Sequence, residues 1–467
     1  MADEDLAWRS ATQLITGYAR GDFSPTEVHR AVRAVVERRE PVLNALAQDS
    51  AETSERQAAA STERWVRSAP IGPLDGVPIT VKENVARRGI PLRAGNAGSP
   101  AVLPTRDAPI TERVLGAGAV VLGSTVMPDW GMLSSGVSSL HGISRSPLDP
   151  TLTTGGSSSG AGAAAAGGYG PLHVGTDIGG SIRLPGTWLG LATLKPSDGR
   201  VPLDTPYLGR VAGPLARSVE DIALLMRVIA QPDPRDWASL PATEIDWEET
   251  SFEPRGLRVG LLLDAGCGLP VDPEVRRTVE AAATVFSEAG AEVVPLEPWM
   301  SPELLDALDT FWRVRSYADL VALDPQAQAR VLPFIVRWVT AARDVSGLRL
   351  MECYTAINTI RARTVAATQP YDLVLSPVAP MAAFPAEWPM PWGETDQGMA
   401  HIGFTAPYNL SGQPAATVNA GFTTDGRTVG VQLIGRRFDD AGVLRAARWY
   451  EAHRPAAVRV DWRAHDR

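Results

Sequence analysis

Apolar residues in the first 70 positions recur at helical spacing, most clearly in EVHRAVRAVVERREPVLNAL (27–46). Just before it, Ser24, Pro25 and Glu27 form an N-cap, a proline at the first helical position and a capping-box partner. The pattern then changes. PLDGVPITVKENV (73–85) is a short β-rich run ending at Lys82. APITERVLGAGAVVLGSTVMP (108–128) reads as a helix, a glycine turn and the buried strand AVVLGST. LRVGLLLDAG (257–266), DPEVRRTVEAAATVFSEAG (272–290) and AEVVPLE (291–297) repeat the theme as strand, helix and strand. Residues 302–367 read as helical and carry Phe311, Trp312, Tyr317, Phe334 and Trp338; YDLVLSPVAP (371–380) and RTVGVQLIGR (427–436) are late strands. Sustained alternation of this kind predicts an α/β fold, with helices on both faces of a mixed sheet. The Pro- and acid-rich stretch 231–256 reads as a surface connection, and no internal repeat is visible. The expected organisation is therefore a single domain over 1–467. It has a helical segment at 1–70, a core at 74–222 and a second helical segment at 302–367 that shapes a pocket.

Charge narrows the partners. A net charge of −9 and a pI near 5.3 argue against nucleic acid or an anionic membrane as the main partner. The acidic start MADEDLAWRSATQ lacks the basic and apolar regions of a secretory signal, and no run of 18 strongly apolar residues occurs. Two lone cysteines, Cys267 and Cys353, make neither a disulfide framework nor a metal cluster and fit a reducing cytoplasm. Of the 44 lysines and arginines only Lys82 and Lys195 are lysine, which leaves 42 arginines. An amine can lose its proton when desolvated and act as a base; a guanidinium cannot.

Two serine-bearing stretches carry candidate chemistry. In TTGGSSSGAGAAAAGGYG (153–170), Ser157, Ser158 and Ser159 lie between glycines and lead into an Ala-rich helix. In HVGTDIGGSIRLPG (173–186), an apparent strand runs into Asp177, Ile178, Gly179, Gly180 and Ser181. A backbone turning through two glycines can aim successive N–H groups at one oxyanion beside the Ser181 hydroxyl, although a flexible Gly/Ser turn is written with the same residues. Residues 156–160 also match G-x-S-x-G, but the segment before them is loop-like where that motif needs a strand. Of the six histidines, His401 is the one candidate for a Ser-His-Asp arrangement.

In order and spacing, DGVPITVKEN, GGSSSGAGAAAAGGYGPLHVGTDIGGSIRLPG, LATLKPSDGRVP, AGPLARSVEDIALLM and FTAPYNLSGQPAATVNAGFTTDGRTVGVQLIGRRFDD resemble the amidase signature family along nearly the whole chain. The resemblance implies that family's fold, a large central mixed β-sheet between helical layers. It also implies a hydrolase with a Ser-cisSer-Lys triad, in which Ser181 attacks the amide carbonyl and forms an acyl-enzyme. Ser157, behind a cis Gly156–Ser157 peptide, bridges to Lys82, the base. The N–H groups of Ile178, Gly179, Gly180 and Ser181 make the oxyanion hole. Gly131 and Met132, in MPDWGMLSSG, fall where relatives line the acyl pocket. No cofactor or metal is implied. Lys195 and Arg183 read as structural, the first in an ion pair or turn contact and the second bonded to backbone or carboxylate; Asp177 reads as a brace for the turn.

The chain departs from the family in GGSSSG, where Ser159 replaces a usual glycine, and in LPGTWLG, where Gly186, Trp188 and Leu189 change the support behind the nucleophile. The expected reaction is hydrolysis of a linear carboxamide, anilide or carbamate (urethane) C–N bond, with esters as related substrates. The alternatives are the glutaminase (A) subunit of a tRNA-dependent amidotransferase and a Ser-His-Asp esterase. The partner is a small molecule; the natural substrate and the oligomeric state, a homodimer included, stay open.

Overall fold

The computed structural model describes residues 4–465; the first three residues of the acidic start, and the side chain of His465, lie outside them. The strands are β1 (Leu46–Asp49), β2 (Pro78–Lys82), β3 (Val120–Thr125), β4 (Val137–Ser138), β5 (Gly142–Ile143), β6 (Leu172–Asp177) and β7 (Ala192–Lys195). After these come β8 (Val211–Ala216), β9 (Arg258–Leu261), β10 (Glu292–Pro295), β11 (Leu373–Pro377), β12 (Ala415–Phe422) and β13 (Thr428–Ile434). Strands β4 and β5 pair as a small ribbon. The other eleven form one sheet in the order β1-β3-β2-β6-β8-β7-β12-β13-β11-β9-β10. The sheet is mixed: β2 is parallel to both neighbours, β3 and β6, while β6-β8-β7-β12-β13-β11 runs antiparallel at every step.

Side-chain alternation shows what covers each face. Val121 joins a core with Ile110, Val114, Ile222, Val279 and Phe286, from the helices Pro109–Gly116, Val219–Ile229 and Pro273–Glu288. Its neighbour Leu122 points the other way, into a core with Val28, Val32, Val35 and Ala163 from the helices Pro25–Leu43 and Ser159–Gly167. Leu215 and Ala216 of β8 divide between opposite faces in the same way. The expected helix–sheet–helix layering is present.

The local forecasts meet their physical causes. Ser24 Oγ accepts from Glu27 N–H at 3.2 Å and Glu27 Oε2 from Ser24 N–H at 2.8 Å, so the capping box closes. Every residue of the Ala-rich helix is buried, since small side chains let it lie close against the sheet. A Cβ on Gly160 would stand 2.2 Å from Ala45 O and 2.4 Å from Val126 N. The 302–367 region resolves into Pro302–Val321, Pro325–Gln328, Pro333–Thr340 and a helix beginning at Gly347. Residues 231–256 contain no helix or strand.

Candidate active site

Lys82 ends β2 beside the end of β6, so two parallel strands deliver their C-terminal ends to one spot, where open α/β sheets bind ligands. The side chain is fully buried. Its Nζ lies 2.8 Å from Ser157 Oγ, 3.1 Å from Ser158 Oγ, 3.0 Å from Thr176 Oγ1 and 3.4 Å from Thr176 O. All four partners are neutral. Burial pulls the amine down to about 7; the Asp177 carboxylate opposes this and the Arg210 guanidinium adds to it.

The Gly156–Ser157 peptide is cis. Ser157 lies just before the Ala-rich helix, and a Cβ on Gly131 would sit 3.2 Å from its Oγ, so Gly131 packs directly on this hydroxyl. The next serine fastens the segments together. Ser158 N–H donates to Ser181 O at 3.1 Å, and Ser158 Oγ donates to Thr176 O at 3.1 Å. Neither Ser158 nor Thr176 was singled out as a lysine partner from the sequence. Their signals were adjacency to Ser157 and a place at the end of β6.

The turn 177–181 is held from inside by one carboxylate. Asp177 Oδ1 accepts from Gly180 N–H (2.8 Å), Arg183 Nη2 (2.9 Å) and Asn409 Nδ2 (2.8 Å), and Oδ2 accepts from Ile182 N–H (3.0 Å) and Arg183 Nε (3.1 Å). Burial alone would raise this carboxyl, but the charge and hydrogen bonds of Arg183 hold it well below the usual carboxylate range. Arg183 is itself fully buried and reaches Thr405 O, Asn409 Oδ1 and Gln432 Oε1 at 3.0, 2.6 and 2.7 Å. Both residues act as braces, as expected. One sequence expectation needs correction. The Gly180 N–H points at Asp177, so its single proton is committed to the brace and not to an oxyanion. Among the described residues, no hydrogen bond takes up the N–H groups of Ile178, Gly179 or Ser181. Gly180 has φ +130°, and a Cβ there would lie 2.8 Å from Thr405 Oγ1, which itself donates to Gly179 O at 2.6 Å.

A cavity of about 410 Å³ opens onto this turn, lined by Ile178, Gly179 and Ser181 on one side and Gly131, Met132 and Trp312 on another. The predicted contact pair Gly131–Met132 therefore meets Ser181 in one cavity. Asp129 sets their position: it is buried and accepts from Ser139 N–H and Ser139 Oγ, both at 2.7 Å, and from Leu332 N–H at 3.2 Å. Of the 302–340 aromatics, Trp312 reaches the cavity, whereas Phe334 and Trp338 pack in the core beside it. Trp188 packs edge-on against Phe384 at 5.2 Å and donates to Met381 O, which fixes the bulkier support behind the nucleophile turn.

His401 does not assemble a Ser-His-Asp set. Its Nε2 lies 2.6 Å from Ser134 Oγ, its Nδ1 meets no carboxylate, and burial pushes the imidazole down to about 3. Ser158, the serine of the G-x-S-x-G match, faces Lys82 instead. Lys195 makes a turn contact, donating to Pro196 O at 2.8 Å; no ion pair forms, and burial lowers its amine to about 7 as well. Among the described residues, no group of three or more His, Cys, Asp and Glu is gathered as a metal site, and no helix is long and apolar enough to cross a membrane.

Comparison with known proteins agrees with this geometry. The amidase family profile matches residues 27–444. An acylamidase from Rhodococcus erythropolis is 33% identical over 475 residues, covering 98% of each chain. A glutamyl-tRNA(Gln) amidotransferase glutaminase-type (A) chain from Chloroflexus aurantiacus is 31% identical, covering 96% of this chain and 97% of its own. A bacterial aryl acylamidase structure described as an amidase signature enzyme superposes with a TM-score of 0.88 at 27% identity, covering 98% of both chains. With the profile spanning most of the chain and a relative of 33% identity running almost its full length, the chain belongs to the amidase signature family of amide hydrolases.

Proposed function

We propose that the chain hydrolyses a linear carboxamide, anilide or carbamate C–N bond of a small molecule through an acyl-enzyme on Ser181. Ser181 Oγ attacks the carbonyl carbon while its proton passes to Ser157 Oγ, and the Ser157 proton passes to Lys82 Nζ. The carbonyl oxygen takes the electron pair and is held by the N–H groups of Ile178, Gly179 and Ser181. Collapse breaks the C–N bond, and the leaving amine takes the proton back along the same route. Water then attacks the acyl ester by the same relay, releasing the acid and restoring Ser181.

The observation that carries this is a buried amine 2.8 Å from Ser157 Oγ whose pKa is lowered by burial to about 7, so that a base is available near neutral pH. Acylamidase and aryl acylamidase relatives support acyl amides and anilides as the substrate class. Similarity to the amidotransferase chains supports a second reading, a glutaminase that works within an assembly. The test is hydrolysis of aliphatic amides, an anilide, an aryl carbamate, an aryl ester and glutamine by wild type, Ser181→Ala, Ser157→Ala and Lys82→Ala. Loss of at least about 10²-fold in each variant is expected. Turnover surviving Lys82→Ala would sink the mechanism, and activity on glutamine alone would favour the second reading.

A further inference from the structure

The cavity at Ser181 has an apolar lining with one cation in it. Arg315 projects from the helix Pro302–Val321 to line the same cavity as Ser181. Its Nε is buried without a protein acceptor, and its Nη2 meets only the Met132 sulfur, at 3.5 Å. Two residues earlier on the helix, Arg313 is fully answered, by Asp309 at 2.5 Å and Asp396 at 2.7 Å. The difference is not one of reach, because Arg315 is firmly held. Its guanidinium carbon stands 5.1 Å from the Tyr207 ring centroid, and Arg210 stands over the same ring at 5.4 Å. Arg210 has no ion pair among the described residues; the acidic group nearest in effect, Asp319, is exposed and touches neither arginine. Two guanidinium groups thus share one tyrosine with no carboxylate between them, in a chain whose net charge is −9. A buried charged donor without an acceptor is costly, and a guanidinium held flat on a ring offers its edge to a planar carboxylate.

We propose that this cavity selects amides that carry a carboxylate, bound by Arg315, with Arg210 adding positive potential through the shared tyrosine. The assignment rests on Ser181 being the nucleophile, and it deepens that reading by naming the charge of the substrate. The carboxylate belongs to either the acyl part or the amine part, and matched pairs separate the two. Succinic mono-p-nitroanilide is compared with butyryl p-nitroanilide, and 4-acetamidobenzoate with acetanilide, in wild type, Arg315→Gln and Arg315→Lys.

The quantity read is the ratio of kcat/KM for acid over neutral partner within each variant, which cancels general damage. One pair is expected to favour the acid in wild type. Arg315→Gln reduces that preference about 10- to 100-fold, and Arg315→Lys, which keeps charge without the fork, reduces it less. Equal ratios in all three proteins would overturn the proposal. Calorimetric binding of succinate against butyramide runs alongside and needs no turnover: wild type binding succinate, and Arg315→Gln binding it about tenfold or more weakly, supports the carboxylate site. Equal binding by the two proteins, or none by wild type, overturns it. Failure of a fluorophosphonate to label Ser181 would instead count against the proposed function, and the succinate result would still decide the role of Arg315.

Discussion

Between about pH 5 and pH 8, the state of one amine governs whether Ser181 can be activated. With a pKa of about 7, Lys82 is about 1% amine at pH 5 and about 90% at pH 8. At an ordinary lysine value it would be below about 1% amine at pH 8. The shift from 10.5 to about 7 is on the order of 5 kcal/mol of preference for the neutral form, and its largest cause is burial among neutral partners. The assay is kcat/KM for a neutral anilide across this range, which reports groups of the free enzyme. An acid limb of unit slope with its midpoint near 7 is expected. The sign of the surrounding charge gives a stricter check. Arg210 disfavours the ammonium, so Arg210→Gln raises the Lys82 pKa and moves the limb to higher pH. Glu83 favours the ammonium, so Glu83→Gln moves it to lower pH. A flat profile, a midpoint near 10, or both variants moving the limb the same way would refute the assignment of the limb to Lys82.

Two further outcomes follow from the same geometry. Gly180→Ala places a Cβ 2.8 Å from Thr405 Oγ1 at φ +130°, so its denaturation midpoint should fall by the equivalent of about 1–3 kcal/mol and its rate of Ser181 labelling should drop; an alanine variant as stable and as reactive as wild type would refute the close approach. Folding lowers the Lys82 pKa, so between about pH 7 and 10.5 the unfolded chain binds the extra proton, and this group's contribution to wild-type stability rises with pH through that window. Chemical denaturation of wild type and Lys82→Met should therefore show their stability difference moving in favour of wild type as pH rises; a difference constant across the window would contradict it.

Features whose causes are local were legible in the sequence. The Ser24 cap, the β-branched run ending at Lys82 and the packed Ala-rich helix each follow from neighbours a few residues away. Strand β1, inside a stretch read as helical, was not, because it exists by antiparallel pairing with β3, more than 70 residues on. Nor was the helix Arg183–Leu189, whose Pro185 and Gly186 oppose helix formation; Gly186 is there because a side chain would strike Thr193. At the site, the family resemblance gave the lysine and both serines, but not the direction of the Gly180 N–H. That direction depends on the side-chain conformation of Asp177, which is set in turn by Arg183 and Asn409. Arg315 carried no signal, since its meaning lies in the carboxylates that fail to meet it.

The brace behind the nucleophile also has a consequence in time. Arg183 finds Thr405, Asn409 and Gln432 across sequence separations of 222, 226 and 249 residues. At about 5–20 residues per second, a ribosome needs about 10–50 s to make that intervening chain. Throughout that interval Ser181 already exists, but the partners that bury Arg183 and hold Asp177 do not. The hydrolase is thus silent during most of its own synthesis and gains its activity only once the hairpin of β12 and β13 has docked.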